Sequence, residues 1–189
     1  PEENKIYLLF HVPDMLEGYE LSRPTGRIYF TVTCTGSYTV ERGTVTDGVF
    51  TPDSAAEVLA SGSMYSGCFT GLDGYECTSD GMCQIMFRVS GTDIQSWETG
   101  MCEETTYYGV WNIVDIACRL PSCSRFACGS AQLQMEALTS LRYFAWYGGN
   151  KLKDMTGMFG HCQNLQAVLA LDTSGVTDMT RAFLWCCSL

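Results

Sequence analysis

The chain has little positive charge and no long apolar run. Its 189 residues carry 11 Lys/Arg against 21 Asp/Glu. No basic cluster interleaves with aromatic residues, so the chain repels polyanions and no nucleic-acid partner is expected. The longest early apolar stretch, IYLLFHV (6–12), is strand length and falls far short of the roughly 20 residues a membrane-spanning helix needs. No CxxC pair occurs, which removes the tight knuckle that brings four ligands onto a structural zinc. The phosphate-loop, dinucleotide-fingerprint, nucleophile-elbow and zinc-protease motifs are also missing. The chain has neither an initiator Met nor the charged–apolar–small pattern of a secretion signal, which suggests a mature product or a fragment.

Hydrophobic residues make up 46% of the chain and charged residues only 17%, the composition of a compact fold. The net charge of −10 is unevenly spread. Residues 1–105 hold 16 acidic and 5 basic side chains, whereas residues 106–189 hold 5 and 6. Cysteines number 11, an odd total that leaves at least one thiol outside any intramolecular pairing. The plain reading is that most are buried small hydrophobes.

The first hundred residues read as β-structure. RIYFTVTC (27–34) places Ile28, Phe30, Val32 and Cys34 on one face, and CQIMFRVSG (83–91) sets Ile85, Phe87 and Val89 against Gln84, Met86 and Arg88, the alternation of half-buried strands. Turn signals between such runs point to a meander, and the strand spacing to a small sandwich or barrel. SAAEVLASG (54–62) reads as a short helix between Ser54 and Gly62. The expected organisation is an N-terminal all-β, sandwich-like domain over residues 1–105 and a second unit over 106–189. The fold class is α+β, mainly β.

The second unit repeats itself. LKDMTGMFGHCQNL (152–165) and VTDMTRAFLWCCSL (176–189) superpose at an offset of 24, with Met155 on Met179, Phe159 on Phe183, Cys162 on Cys186 and Leu165 on Leu189. The same offset run backwards places Leu138, Leu141 and Phe144 in a degenerate third copy, and Leu120, Cys123 and Phe126 in a fourth. A period of this length falls in the leucine-rich-repeat range. Each unit reads as a short strand (LQAVLAL), a turn (DTSG) and a return segment whose apolar spacing of four and three is helical. In that return Met155, Phe159, Cys162 and Leu165, then Met179, Phe183, Cys186 and Leu189, form the repeat core. Stacked units cover one another's apolar faces. The last copy, ending at Leu189, is therefore expected to meet more chain or a neighbouring subunit.

The pattern V-T-D-M-T-x-x-F-x-x-C-x-(N/S)-L resembles the BspA-like leucine-rich repeats of bacterial surface proteins, common in gut and oral anaerobes and their phages. The best copies are 152–175 and 176–189. Ala182 stands where a second Met is usual in that family, and residues 111–150 lack the D-M element. The resemblance implies a right-handed solenoid with a parallel sheet, used for adhesion or protein recognition and without catalysis. It also implies that Cys162 and Cys186 stack as buried thiols.

The chemistry-bearing residues are sparse. His161 beside Cys162 suggests a thiol nucleophile, but the Cys sits at a repeat core position and a reactive thiol needs an exposed, electropositive setting. His11 reads as structural. Asp14, Glu17 and Glu20, or Asp73, Glu76 and Asp80, are the carboxylates from which a hydrolase would be built; the second set is also a weak calcium candidate. Exposed strand positions point instead to binding. Arg142, Tyr143, Tyr147 and Gln166 are the expected surface, with Ala145, Ala167 and Ala170 beside them and Trp146 if the register differs by one. Tyr, Trp and Arg are frequent interface anchors. The expected function is non-enzymatic recognition of a protein or glycan at a bacterial or extracellular surface, with no cofactor. A virion structural role in a phage is the alternative, favoured by the thiol content, and a hydrolase the third reading.

Overall fold

In a computed structural model, the described residues are 1–13, 26–69, 82–99, 113–129 and 137–189. They form ten strands: β1 (Lys5–Pro13), β2 (Gly26–Thr46), β3 (Val49–Pro52), β4 (Glu57–Ala60), β5 (Met64–Phe69), β6 (Met82–Thr99), β7 (Ile113–Arg119), β8 (Arg125–Ala127), β9 (Tyr143–Trp146) and β10 (Ala167–Leu169). All belong to one sheet, ordered β10-β9-β7-β1-β6-β2-β3, with β4 and β5 on β2 and β8 on β6. The sheet is antiparallel from β7 through β1, β6 and β2 to β3, and parallel where β9 joins β7 and β10 joins β9.

This overturns the expected fold class. There is no helix among the described residues, and in place of a sandwich-like domain followed by a solenoid the strands form one mixed, open sheet. β1 pairs with β6 on one side and β7 on the other, so strands from both halves of the chain share a continuous ladder.

Local chemistry explains each departure. The segment expected to be a helix at 54–62 contains β4, whose Glu57–Ala60 register against Ser37–Val40 of β2. A long neighbouring strand with unpaired backbone groups outcompetes a helix barely two turns long, which is marginal in water by itself. The return segments fail as helices because left-handed residues interrupt them at Gly157 and His161, then at Arg181 and Trp185 (φ 62°, 64°, 56° and 60°). What remains is a run of tight turns, with Met158, Gly160 and Cys162 donating to the carbonyls of Met155, Gly157 and Phe159.

The repeat is visible in the pairing. Tyr143, Phe144 and Ala145 face Ala167, Val168 and Leu169, and Asp154 bridges to Asp178, all at the offset of 24. One step back, Asp115 faces Tyr143 and Arg125 bridges to Asp154, offsets of 28 and 29. The 24-residue offset thus holds from β9 onward, where Phe144 of the third copy faces Val168, and the step before it is longer.

The core lies under one face of the sheet. Phe30, Trp97, Phe126, Phe144 and Phe159 form a continuous aromatic column, with centroid separations of 5.8, 4.7, 5.4 and 5.0 Å between successive rings. Each is at most 1% exposed, and burying such a ring contributes about 1.5–3 kcal/mol. The column runs from β2 and β6 into the repeats and ties the two halves together.

Candidate binding surface

Alternation along β9 builds the surface. Phe144 and Trp146 are fully buried, while Tyr143 and Tyr147 point the other way and are 43% and 49% exposed. Strand geometry places every second residue of β7 and β10 on this same outer face. It carries Asp115, Ala117 and Arg119 from β7, and Ala167 and Leu169 from β10. The small Ala117 and Ala145 lie opposite each other on this face.

The expected surface residues divide into two groups. Tyr143 donates its hydroxyl to Gln166 Oε1 at 2.8 Å, so these two act together at the start of β9. Arg142 is half-buried there, and its Nε is buried without a hydrogen-bond partner. Tyr147 stands at the opposite end. Its amide donates to the Cys118 carbonyl at 2.9 Å, continuing the β7–β9 ladder past the last strand residue. Trp146 belongs to the core, with its indole N–H donating to the Gly149 carbonyl. Ala145 and Ala167 are half-buried and Ala170 is exposed.

The carboxyl ends of the parallel strands β7, β9 and β10 open into a cleft of about 660 Å³ lined by Pro1, Arg119, Trp146, Tyr147, Gly149, Ala170 and Asp172. Two backbone features lie at or beside it. Gly148 is required because a Cβ there would come within 2.5 Å of the Trp146 ring and 2.7 Å of the Leu120 carbonyl oxygen. Ala170 adopts φ 58°, a left-handed conformation that costs about 1–2 kcal/mol for a residue with a Cβ. Asp172 accepts from the Ser174 amide at 2.9 Å. The Ser174 hydroxyl and then its amide hold the Asp172 carboxyl below its usual range. Arg119 is exposed and has no ion pair among the described residues.

A second depression, about 560 Å³, lies farther along the outer face among Tyr7, Val49, Phe50, Met86, Arg88 and Ala117. Its cation is already engaged. Arg88 pairs with Glu41 at 2.8 Å and lies 4.5 Å above the Phe50 ring.

Of the residues expected to carry catalysis, His161 and Cys162 lie among the described residues with their side chains. His161 is half-buried in the left-handed conformation, its amide donating to Leu184. Cys162 is fully buried, donates to the Cys128 carbonyl at 3.5 Å, and has its thiol pushed well up by burial. Asp14, Glu17, Glu20, Asp73, Glu76 and Asp80 lie outside the described residues, as does the His11 side chain. Among the described residues no group of three or more His, Cys, Asp or Glu is placed to hold a metal ion, and no helix is long and apolar enough to cross a membrane.

The repeat core is covered unevenly. Met155, Phe159, Cys162 and Leu165 are fully buried. In the last copy Phe183 and Cys186 are half-buried, and Met179 and Leu189 are exposed, contrary to the inward placement expected of them. Sequence reasoning passed over Arg119 and Asp172. Arg119 was legible in principle, because IVDIACR alternates apolar and exposed residues through Asp115, Ala117 and Arg119. Asp172 joins the cleft through a turn, which carries no such period.

Compared with protein families, curated proteins and solved structures, the chain finds no match.

Proposed function

We propose that this chain is a non-enzymatic binding protein that recognises a protein or glycan ligand through the outer face and strand-end cleft around β9. The observation that carries the reading is the pair of exposed tyrosines, Tyr143 and Tyr147, alternating with two fully buried aromatics. Exposed Tyr gives a broad contact area at low entropic cost, because only two torsions are immobilised on binding. The setting that fits is an adhesin at a bacterial surface. The test is retention of fluorescently labelled chain on a mucin-coated surface. Tyr143→Ala with Tyr147→Ala should abolish retention while leaving the circular dichroism spectrum unchanged. Undiminished retention of the double variant would sink the reading.

One observation favours the alternative of a virion structural protein. Among the described residues seven cysteines, Cys34, Cys118, Cys123, Cys128, Cys162, Cys186 and Cys187, are unpaired, which suits folding in a reducing cytoplasm. Assembly of the native protein into capsids or fibres would favour that role over adhesion.

A further inference from the structure

We infer that the cleft at the carboxyl ends of β7, β9 and β10 is a subsite for a neutral saccharide. This deepens the proposed binding function and rests on it for the choice of an aromatic-rich surface. Three side chains of complementary chemistry line the same cleft: Tyr147, Arg119 and Asp172. Tyr147 offers a half-exposed ring, on which the C–H face of a pyranose stacks without losing the hydration of its rim. Arg119 supplies planar N–H donors with no ion pair among the described residues to compete for them. Asp172 supplies acceptors. A carboxylate has about four acceptor positions, and Ser174 uses its amide and hydroxyl on this one, so acceptor capacity remains.

A sugar hydroxyl both donates and accepts. Two adjacent hydroxyls therefore satisfy a guanidinium and a carboxylate together, which a purely apolar or purely anionic ligand does not. Charge decides between neutral and acidic sugars. The Arg119 and Asp172 side chains cancel within the cleft, whose lining also includes Pro1, and residues 106–189, which supply its strands, hold 5 acidic and 6 basic side chains. A uronic or sialic acid would meet the Asp172 carboxylate with no strongly positive field to offset it. The cleft is about 660 Å³, within the range of small-ligand sites and large enough for one or two sugar rings.

The test is isothermal titration of the 189-residue chain with cellotetraose, maltotetraose and mannotetraose, and separately with sialyllactose and oligogalacturonate. At least one neutral tetraose should bind. Tyr147→Ala should weaken that binding about tenfold or more, Arg119→Ala and Asp172→Asn should each weaken it by a smaller factor, and Tyr147→Phe should retain it. All three positions lie at the surface, and an unchanged circular dichroism spectrum confirms the fold of each variant. Failure of every neutral tetraose to bind, tighter binding of the acidic sugars, or binding indifferent to the three substitutions overturns the inference. The two proposals separate cleanly. If mucin retention persists in the Arg119→Ala and Asp172→Asn variants and no tetraose binds, the subsite is refuted and the binding function stands. If a tetraose binds the cleft but mucin retains nothing, the adhesive reading falls and the subsite stands.

Discussion

Met155, Phe159, Cys162 and Leu165 are fully buried, whereas Met179 and Leu189, two of their counterparts 24 residues on, are 48% and 57% exposed. The side chains are nearly the same and so is the local backbone, left-handed at Gly157 and His161 and again at Arg181 and Trp185. What differs is the neighbour. The earlier segment donates the amides of Met155, Gly157, Phe159 and His161 to the carbonyls of Asp178, Thr180, Ala182 and Leu184, and stacks Phe159 on Phe183 at 5.3 Å. It is sandwiched, with Cys128 donating to the Met158 carbonyl from the other side. The later segment is covered on one side alone. Within residues 1–189, the pairing partner and not residue identity sets burial, so that Met155 is enclosed and Met179 is not.

Paired substitutions break this comparison most forcefully at the aromatic position. Phe159→Ala should lose about 3–5 kcal/mol, as expected for a fully enclosed ring, and Phe183→Ala about 1–2 kcal/mol because its ring is partly wet. Urea denaturation of the two variants measures the gap directly; equal losses would mean that the last copy is as enclosed as the one before it. Next in size, Met155→Ala should cost about 2–5 kcal/mol and Met179→Ala within about 0.5 kcal/mol.

A smaller, pH-dependent contrast concerns the aspartates. Asp154 is raised by partial burial, but the amide and hydroxyl of Thr156 and the Arg125 guanidinium outweigh this and hold its carboxyl below the usual value. A depressed carboxyl stabilises the fold above its unfolded pKa, about 3.9, and the contribution is lost as pH falls through the folded value. The stability difference between the natural chain and Asp154→Asn should therefore be constant near neutrality and shrink below about pH 4. Asp178 makes the equivalent turn bond to Thr180 but is not ion-paired to Arg125, so Asp178→Asn should move the acid limb less. An identical acid limb in both variants would show that Arg125 contributes nothing.

How much of this was written in the sequence depends on which interaction decides each element. The faces of β2 and β6 were legible, since Phe30 and Val32, then Ile85, Phe87 and Val89, alternate toward a core. The 24-residue pairing of Tyr143 with Ala167 was legible as a repeat. The strand at Glu57–Ala60 was not, because its partner Ser37–Val40 lies 20 residues upstream and no local period announces it. The turns of 155–165 hid behind helical spacing, because His161 and Trp185 adopt a left-handed backbone that their residue types do not advertise. In the binding surface, Tyr143, Tyr147 and Gln166 followed from alternation, while Arg119 and Asp172 reach the cleft only through tertiary pairing of three strands.

The subtlest contrast is chemical. Burial pushes the Cys162 thiol far up and the half-buried Cys186 to about 11, while Cys187 is exposed. Under native conditions a maleimide, followed by peptide mass mapping, should label Cys187 first, Cys186 slowly and Cys162 only in denaturant. Rapid native labelling of Cys162 would contradict its enclosure.

Residue-resolved native-state hydrogen exchange tests the central claim, that backbone pairing encloses one copy and leaves the next open. The amides of Phe159 and His161, bonded to Ala182 and Leu184 at 2.8 and 2.6 Å, should exchange orders of magnitude more slowly than those of Phe183 and Trp185. Equal exchange in the two copies, fast or slow, would contradict the account.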